Sequence, residues 1–130
     1  MTPDARLQMT QATMSVLDSW SLETEQMREL LALPAKVRAR AFNHFRQSKP
    51  FPEGPQVYER AGYILRIAEA LRTTFPTNSH MAGRWLRQGH RRFGRRTPLS
   101  VMLQDEGGLA AILAQLDCTF AWDQSGSKAS

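Results

Sequence analysis

The stretch WLRQGHRRFGRRTP, from Trp85 to Pro98, sets five arginines and one histidine between a tryptophan and a Thr-Pro pair. Guanidinium groups at that density offer one chemistry: forked hydrogen bonds and charge directed at phosphates or carboxylates. A second cluster lies upstream, where PAKVRARAFNHFRQ carries Lys36, Arg38, Arg40, Asn43, Arg46 and Gln47 and no acidic residue. Lysine and arginine neutralise phosphates or bond guanine edges, and asparagine and glutamine amides can pair with adenine, so this second set is equipped to touch DNA. Near the end of the chain, Phe120 and Trp122 stand beside the polar DQSGSKAS. Large aromatics there have little core left to fill and read as interface anchors.

Catalytic chemistry finds no support. The chain has no glycine-rich phosphate loop after a strand, no paired carboxylates in an apolar setting, and no nucleophile with a base and an orienting group. A non-enzymatic protein without a cofactor is expected. Cys118 is the single cysteine, and His44, His80 and His90 are scattered, so neither an internal disulfide nor a structural metal is expected. Cys118 itself reads as a small buried hydrophobe. With 130 residues, 42% of them hydrophobic, the chain can form one compact core or two small helical units sharing one. No run approaches the roughly 18 apolar residues of a membrane span, and MTPDARLQMTQ lacks the basic start and apolar stretch of an export signal. The expected location is cytoplasmic, with no membrane partner.

Charge is distributed unevenly. Met1 to Pro34 holds two basic residues against five acidic, Ala35 to Arg96 fourteen against three, and Thr97 to Ser130 one against four. A basic middle between acidic ends suits two partners of different kinds better than one.

The elements that must position these residues are all helical. Met9, Met14, Val16, Leu17 and Trp20 predict a first helix, although Met9 to Met14 fits the period poorly. Ser21 is placed to cap a second helix, with Glu23 and Glu25 in its first turn and Met27, Leu30 and Leu31 as its apolar stripe. Pro34 fits the first turn of a third, joined to the second by only a few residues. That tight joint is the outline of a helix-turn-helix, although Ala32 stands where a turn glycine would be comfortable. Val37, Ala41 and Phe45 should face the core, leaving Lys36, Arg40, Asn43 and Gln47 opposite. SKPFPEGP is a loop. A long fourth helix follows, with Val57, Ala61, Ile64, Leu65, Ala68, Leu71 and Phe75 on one face and Pro76 as its stop. Asn78 or Ser79 can cap a fifth, with Met81, Trp85 and Leu86 as its inward candidates and Trp85 serving as a core anchor. Thr97 and Pro98 open a short sixth helix, and Gly107 and Gly108 separate it from a seventh.

WLRQGHRRFGRRTPLSVML, followed by EGGLAAILAQLD and an aromatic end, resembles the toxin-binding domain of the Xre/MbcA/ParS-type antitoxin family of bacterial type II toxin-antitoxin pairs. The most specific part is the spaced set Trp85, Leu86, Arg87, Phe93, Gly94, Thr97, Pro98 and Leu99. WSLETEQMRELLALP and YERAGYILRIAEALRTTFP are similar to that family's upstream half, an Xre-like helix-turn-helix followed by a long helix. The resemblance runs from Val16 to about Asp123 and has departures: His90 stands where an asparagine is common, Arg95 replaces a second glycine, and the Pro50 to Pro55 loop is longer than usual.

What the resemblance implies is an antitoxin that pairs with a RES-domain toxin, an enzyme consuming NAD⁺, and covers its active site with the C-terminal portion. It implies equally a homodimer that binds operator DNA and represses its own operon. The expected fold is all-α, an Xre-like helix-turn-helix region with a long linking helix over 1–76 and a small helical toxin-binding domain with a flexible tail over 77–130. Lys36, Arg38, Arg40, Asn43, Arg46 and Gln47 are the candidate DNA contacts. Arg91, Arg92, Arg95, Arg96, Phe120, Trp122 and Asp123 are the candidate toxin contacts. The alternative is a stand-alone helix-turn-helix DNA-binding regulator with no toxin partner.

Overall fold

The computed structural model describes residues 2–77 and 80–124, with only the helical path for 118–124. Every regular element among them is helical: α1 (Pro3–Ser19), α2 (Thr24–Leu30), α3 (Ala39–Gln47), α4 (Pro55–Thr74), α5 (His80–Arg87), a 3₁₀ turn (Arg91–Phe93), α6 (Pro98–Gln104) and α7 (Gly108–Gln124). The all-α class expected from the pattern is the one observed. The chain forms two compact units that divide inside α4, between Leu65 and Arg66.

In the first unit, α1 begins well before Met9. Thr2 Oγ1 accepts from the Ala5 N–H at 3.1 Å, Pro3 occupies the first position and Asp4 the first turn. All three are start signals that the apolar pattern alone did not use. The poor period from Met9 to Met14 has a physical cause: two of the buried positions are threonines. Thr10 and Thr13 are fully buried beside Met14 and Leu17, and their hydroxyls donate to the carbonyls of Arg6 and Met9, each at 2.7 Å. Thr10 Oγ1 also accepts from the Phe51 N–H at 3.0 Å, which ties the proline-rich loop to α1. Satisfied in this way, a hydroxyl enters a core without the penalty of an unpaired polar group.

α2 is capped by Glu23, not by Ser21. Gln26 Oε1 accepts from the Glu23 N–H at 2.9 Å, while Ser21 lies at φ 59° in the turn leaving α1. Ala32 does adopt the left-handed conformation that glycine would favour, at φ 56°. The third helix starts at Ala39 instead of Pro34, so residues 31–38 join α2 to α3 and the joint is longer than expected. Pro34 enters a turn instead: its carbonyl accepts from the Val37 N–H at 2.9 Å, and Arg28 Nε donates to the Val37 carbonyl at 2.8 Å. The buried face of α3 moves accordingly to Phe42 and Phe45, with Val37 and Ala41 half-buried. Phe42 meets Phe45 edge-on at 5.5 Å, and Phe45 meets Phe51 at 5.0 Å. Such edge contacts contribute about 0.5–1.5 kcal/mol beyond the area they bury.

In the second unit, α6 packs on both α5 and α7. Thr97 caps α6 as expected, accepting from the Ser100 N–H at 3.0 Å, with Pro98 at the first position. Gly108 is required by proximity: a Cβ there would meet the Val101 carbonyl oxygen at 2.1 Å. Leu86, Met102 and Ile112 are almost completely buried. Trp85, expected as the core anchor of α5, is only half-buried; Leu86, also an inward candidate, takes that place. α4 ends at Thr74 ahead of Pro76, in keeping with the expected stop. The caps proposed at Asn78 and Ser79 lie outside the described residues.

Candidate functional site

The upstream basic residues build a concavity of about 780 Å³ in the first unit. Arg28, from α2, lines it together with Lys36 and Arg38 of the joint and Arg40 and His44 of α3, and none of its lining residues is acidic. Its geometry follows from the long joint. Arg28 holds the Val37 carbonyl, and Arg60 Nε donates to the Leu30 carbonyl at the end of α2, so both ends of the connection are fixed by arginine. Burial pushes the Arg60 guanidinium below its ordinary pKa. α3 starts at Ala39, and its N-cap residue Arg38 makes no side-chain cap, so the positive end of the helix adds to this surface.

Six residues were expected here, and the structure brings only three of them together. Lys36, Arg38 and Arg40 are exposed and line the concavity. Arg46 is turned back onto α1: Nε and Nη2 donate to the two carboxylate oxygens of Asp18, both at 2.8 Å, and Nη1 donates to Asn43 Oδ1 at 2.9 Å. The Asp18 hydrogen bond raises the Arg46 pKa further above its ordinary value. Asn43 Oδ1 is therefore engaged within its own helix. Gln47 is exposed, and its carbonyl accepts from Gln11 Nε2 at 2.7 Å. Arg28 and His44 were missed. His44 follows Arg40 by one helical turn, a spacing the sequence did offer. Arg28 belongs to the preceding helix and joins the set only through the fold.

The downstream cluster forms a closed loop in the second unit. The His90 N–H donates to the Arg96 carbonyl at 3.1 Å, and the Arg95 N–H donates to the His90 carbonyl at 2.9 Å. Closure brings the Arg95 carbonyl oxygen to 2.4 Å from where a Cβ on Gly89 would stand, so only glycine fits at 89. His90 Nε2 lies 3.1 Å from the Trp85 carbonyl, which can only accept, so the proton of that bond is on Nε2. The rings of Trp85, His90 and Phe93 cluster with centroids 5.2–6.4 Å apart.

Of the arginines expected here, Arg91, Arg92 and Arg95 are exposed. Arg96 is different: its two Nη groups donate to both oxygens of Asp105 at 2.9 and 3.0 Å, and Nη2 also donates to Gln104 Oε1 at 3.2 Å. This pair holds the Asp105 carboxyl below the usual carboxylate range through the hydrogen bond and raises the Arg96 pKa. A cation before α6 and an anion after it each oppose the helix dipole, and pairing them across the short helix offsets both. The side chains of Phe120, Trp122, Asp123 and Cys118 lie outside the described residues; the backbone of α7 continues through them to Gln124.

Residues 70–118 match the family model described as the antitoxin Xre/MbcA/ParS C-terminal toxin-binding domain. This part of the chain is similar to that toxin-binding domain. The match takes in α5, the closed arginine loop, α6 and α7 as far as residue 118, and so bears out the resemblance read from Trp85 to Leu99. Phe120 and Trp122 fall beyond the matched residues. No match was found among curated proteins. Among the described residues, no helix is long and apolar enough to cross a membrane, and no group of three or more His, Cys, Asp or Glu is placed to hold a metal ion.

Proposed function

We propose that this chain is the antitoxin of a type II toxin-antitoxin pair, that it neutralises a RES-domain, NAD-degrading toxin by covering its active site, and that it represses its own operon as a homodimer. The observation that carries the first part is the family match over residues 70–118. The proposed toxin contacts are the exposed Arg91, Arg92 and Arg95, with Phe120, Trp122 and Asp123 on the tail. Arg96, committed to Asp105, acts by fixing the loop.

The DNA part rests on the acid-free concavity, since a surface of Arg28, Lys36, Arg38, Arg40 and His44 neutralises successive phosphates at little cost in repulsion. In this reading residues 1–76 face the operator and 77–130 face the toxin. The same concavity also favours the second reading, a DNA-binding regulator that needs no toxin. Co-expression with a RES-domain toxin separates the two. The antitoxin reading expects a co-purifying complex, restored growth and preserved NAD⁺. Two proteins that elute separately at micromolar concentration, with NAD⁺ loss unchanged, overturn it and leave the regulator.

A further inference from the structure

We infer that Arg95 is the specificity-determining residue of the closed loop, held outward in a strained backbone conformation to engage a carboxylate on the toxin surface. The inference rests on the toxin-binding reading of this domain. Arg95 follows Gly94 (φ 63°) and itself lies at φ 69°, where an L side chain crowds its own carbonyl. The loop leaves no alternative: the Arg95 N–H is bound to the His90 carbonyl, and its own carbonyl presses on Gly89. A glycine at 95 would satisfy every one of these constraints without strain.

The arginine side chain returns nothing to the fold that offsets this. It is exposed, and none of the ion pairs among the described residues uses it. A strained position that stability alone would assign to glycine, filled by an exposed guanidinium on a rigid loop, is spent on a contact outside the chain. Rigidity helps that contact, because the backbone ordering is complete before binding.

The chemistry of the surroundings selects the partner. Asp105 lies within 3.0 Å of the adjacent Arg96, so the loop carries a fixed carboxylate beside its cations. The pair takes Arg96 out of the exposed set, and the guanidinium of Arg95, exposed on the closed loop beside it, is a forked donor suited to one carboxylate on a protein. The concavity of the first unit, with no acid in its lining, has the opposite character.

The test pairs binding with stability, using the full chain and a purified RES-domain toxin that it binds. Arg95→Gly should melt about 2–4 °C higher than the wild type, through relief of the left-handed strain, while its Kd for the toxin rises roughly tenfold. Arg95→Ala should lose toxin affinity to the same extent with no gain in melting temperature. Arg95→Lys, which keeps charge but loses the fork, should fall between Ala and wild type. Wild-type affinity in both the Gly and Ala variants overturns the inference and leaves toxin binding standing. So does an Arg95→Gly variant that melts no higher, or an Arg95→Ala variant that loses operator DNA but not toxin. A wild-type chain that binds no RES-domain toxin removes the toxin-binding reading itself, and this inference with it.

Discussion

The two arginine clusters are built alike in one respect and oppositely in another. Each commits one arginine to a carboxylate, Arg46 to Asp18 and Arg96 to Asp105, through two-pronged contacts of 2.8–3.0 Å. Each leaves other cations exposed. In the first unit Lys36, Arg38, Arg40 and His44 come from α3 and the joint before it, and with the half-buried Arg28 of α2 they line an open concavity without acid. In the second they sit on a loop closed by its own backbone, next to a fixed carboxylate. The first form suits an extended anion such as a phosphate backbone; the second offers a few points of fixed position, which suits a folded protein. Arginine content does not separate the structural arginines from the available ones. An acceptor within reach does, a carboxylate for Arg46 and Arg96 and a backbone carbonyl for Arg28 and Arg60.

The largest expected effect tests whether the second cluster acts alone. Truncation after Leu116 should abolish protection of NAD⁺, because a buried aromatic anchor at an interface contributes about 2 kcal/mol or more and both Phe120 and Trp122 are removed. Circular dichroism should still report a cooperatively melting helical protein, since Leu109, Ile112, Leu113 and Leu116 are all retained. A truncated chain that stays folded and still protects NAD⁺ would assign neutralisation to the arginine loop.

Next in size is the effect on DNA. Replacing Lys36 and Arg40 together by Ala should weaken operator binding by tenfold or more at low salt and reduce the salt slope by roughly 2, one for each lost phosphate contact. Arg46→Ala should leave that slope unchanged. It should instead lower stability by roughly 0.5–1 kcal/mol, the range for a partly exposed ion pair. An Arg46 variant that loses DNA affinity as steeply as the double variant would show that the Asp18 contact opens on binding.

A helix cap gives a comparable but purely structural effect. Thr97→Ala should cost about 1 kcal/mol in denaturant unfolding and leave DNA affinity unchanged. The smallest effect is one of pH. Because the Asp105 carboxyl is held below its usual range, its contribution is present above about pH 4, the ordinary aspartate value, and is lost as the pH falls through its folded pKa. Melting curves of wild type and Asp105→Asn should therefore differ near neutrality and converge under strongly acid conditions. Equal melting at every pH would show that the Arg96–Asp105 pair adds nothing to the fold.

Most of the elements were legible in the sequence because their signals are local. Thr97-Pro98 opened α6, Pro76 stopped α4, the apolar stripe of α4 gave Val57, Ala61, Ile64 and Leu71 of its buried face but missed Ile67, and the spacing from Trp85 to Leu99 carried the resemblance that the family match bears out. Even Ala32, marked as standing where glycine would be comfortable, is left-handed as that remark implied. What the sequence could not decide depended on distant partners. Thr10 is core because Arg6 and Phe51 satisfy its hydroxyl. α3 starts late because residues 34–37 form a turn held by Arg28. The same limit applies to the site. Residue type and spacing placed Lys36, Arg38 and Arg40 on one basic surface, since neighbours along a chain stay neighbours in space. Only the tertiary structure decided that Arg46 and Arg96 are spent on Asp18 and Asp105, and that Arg28 joins the concavity. A guanidinium takes whichever anion the fold brings within about 3 Å, and that distance is set by packing.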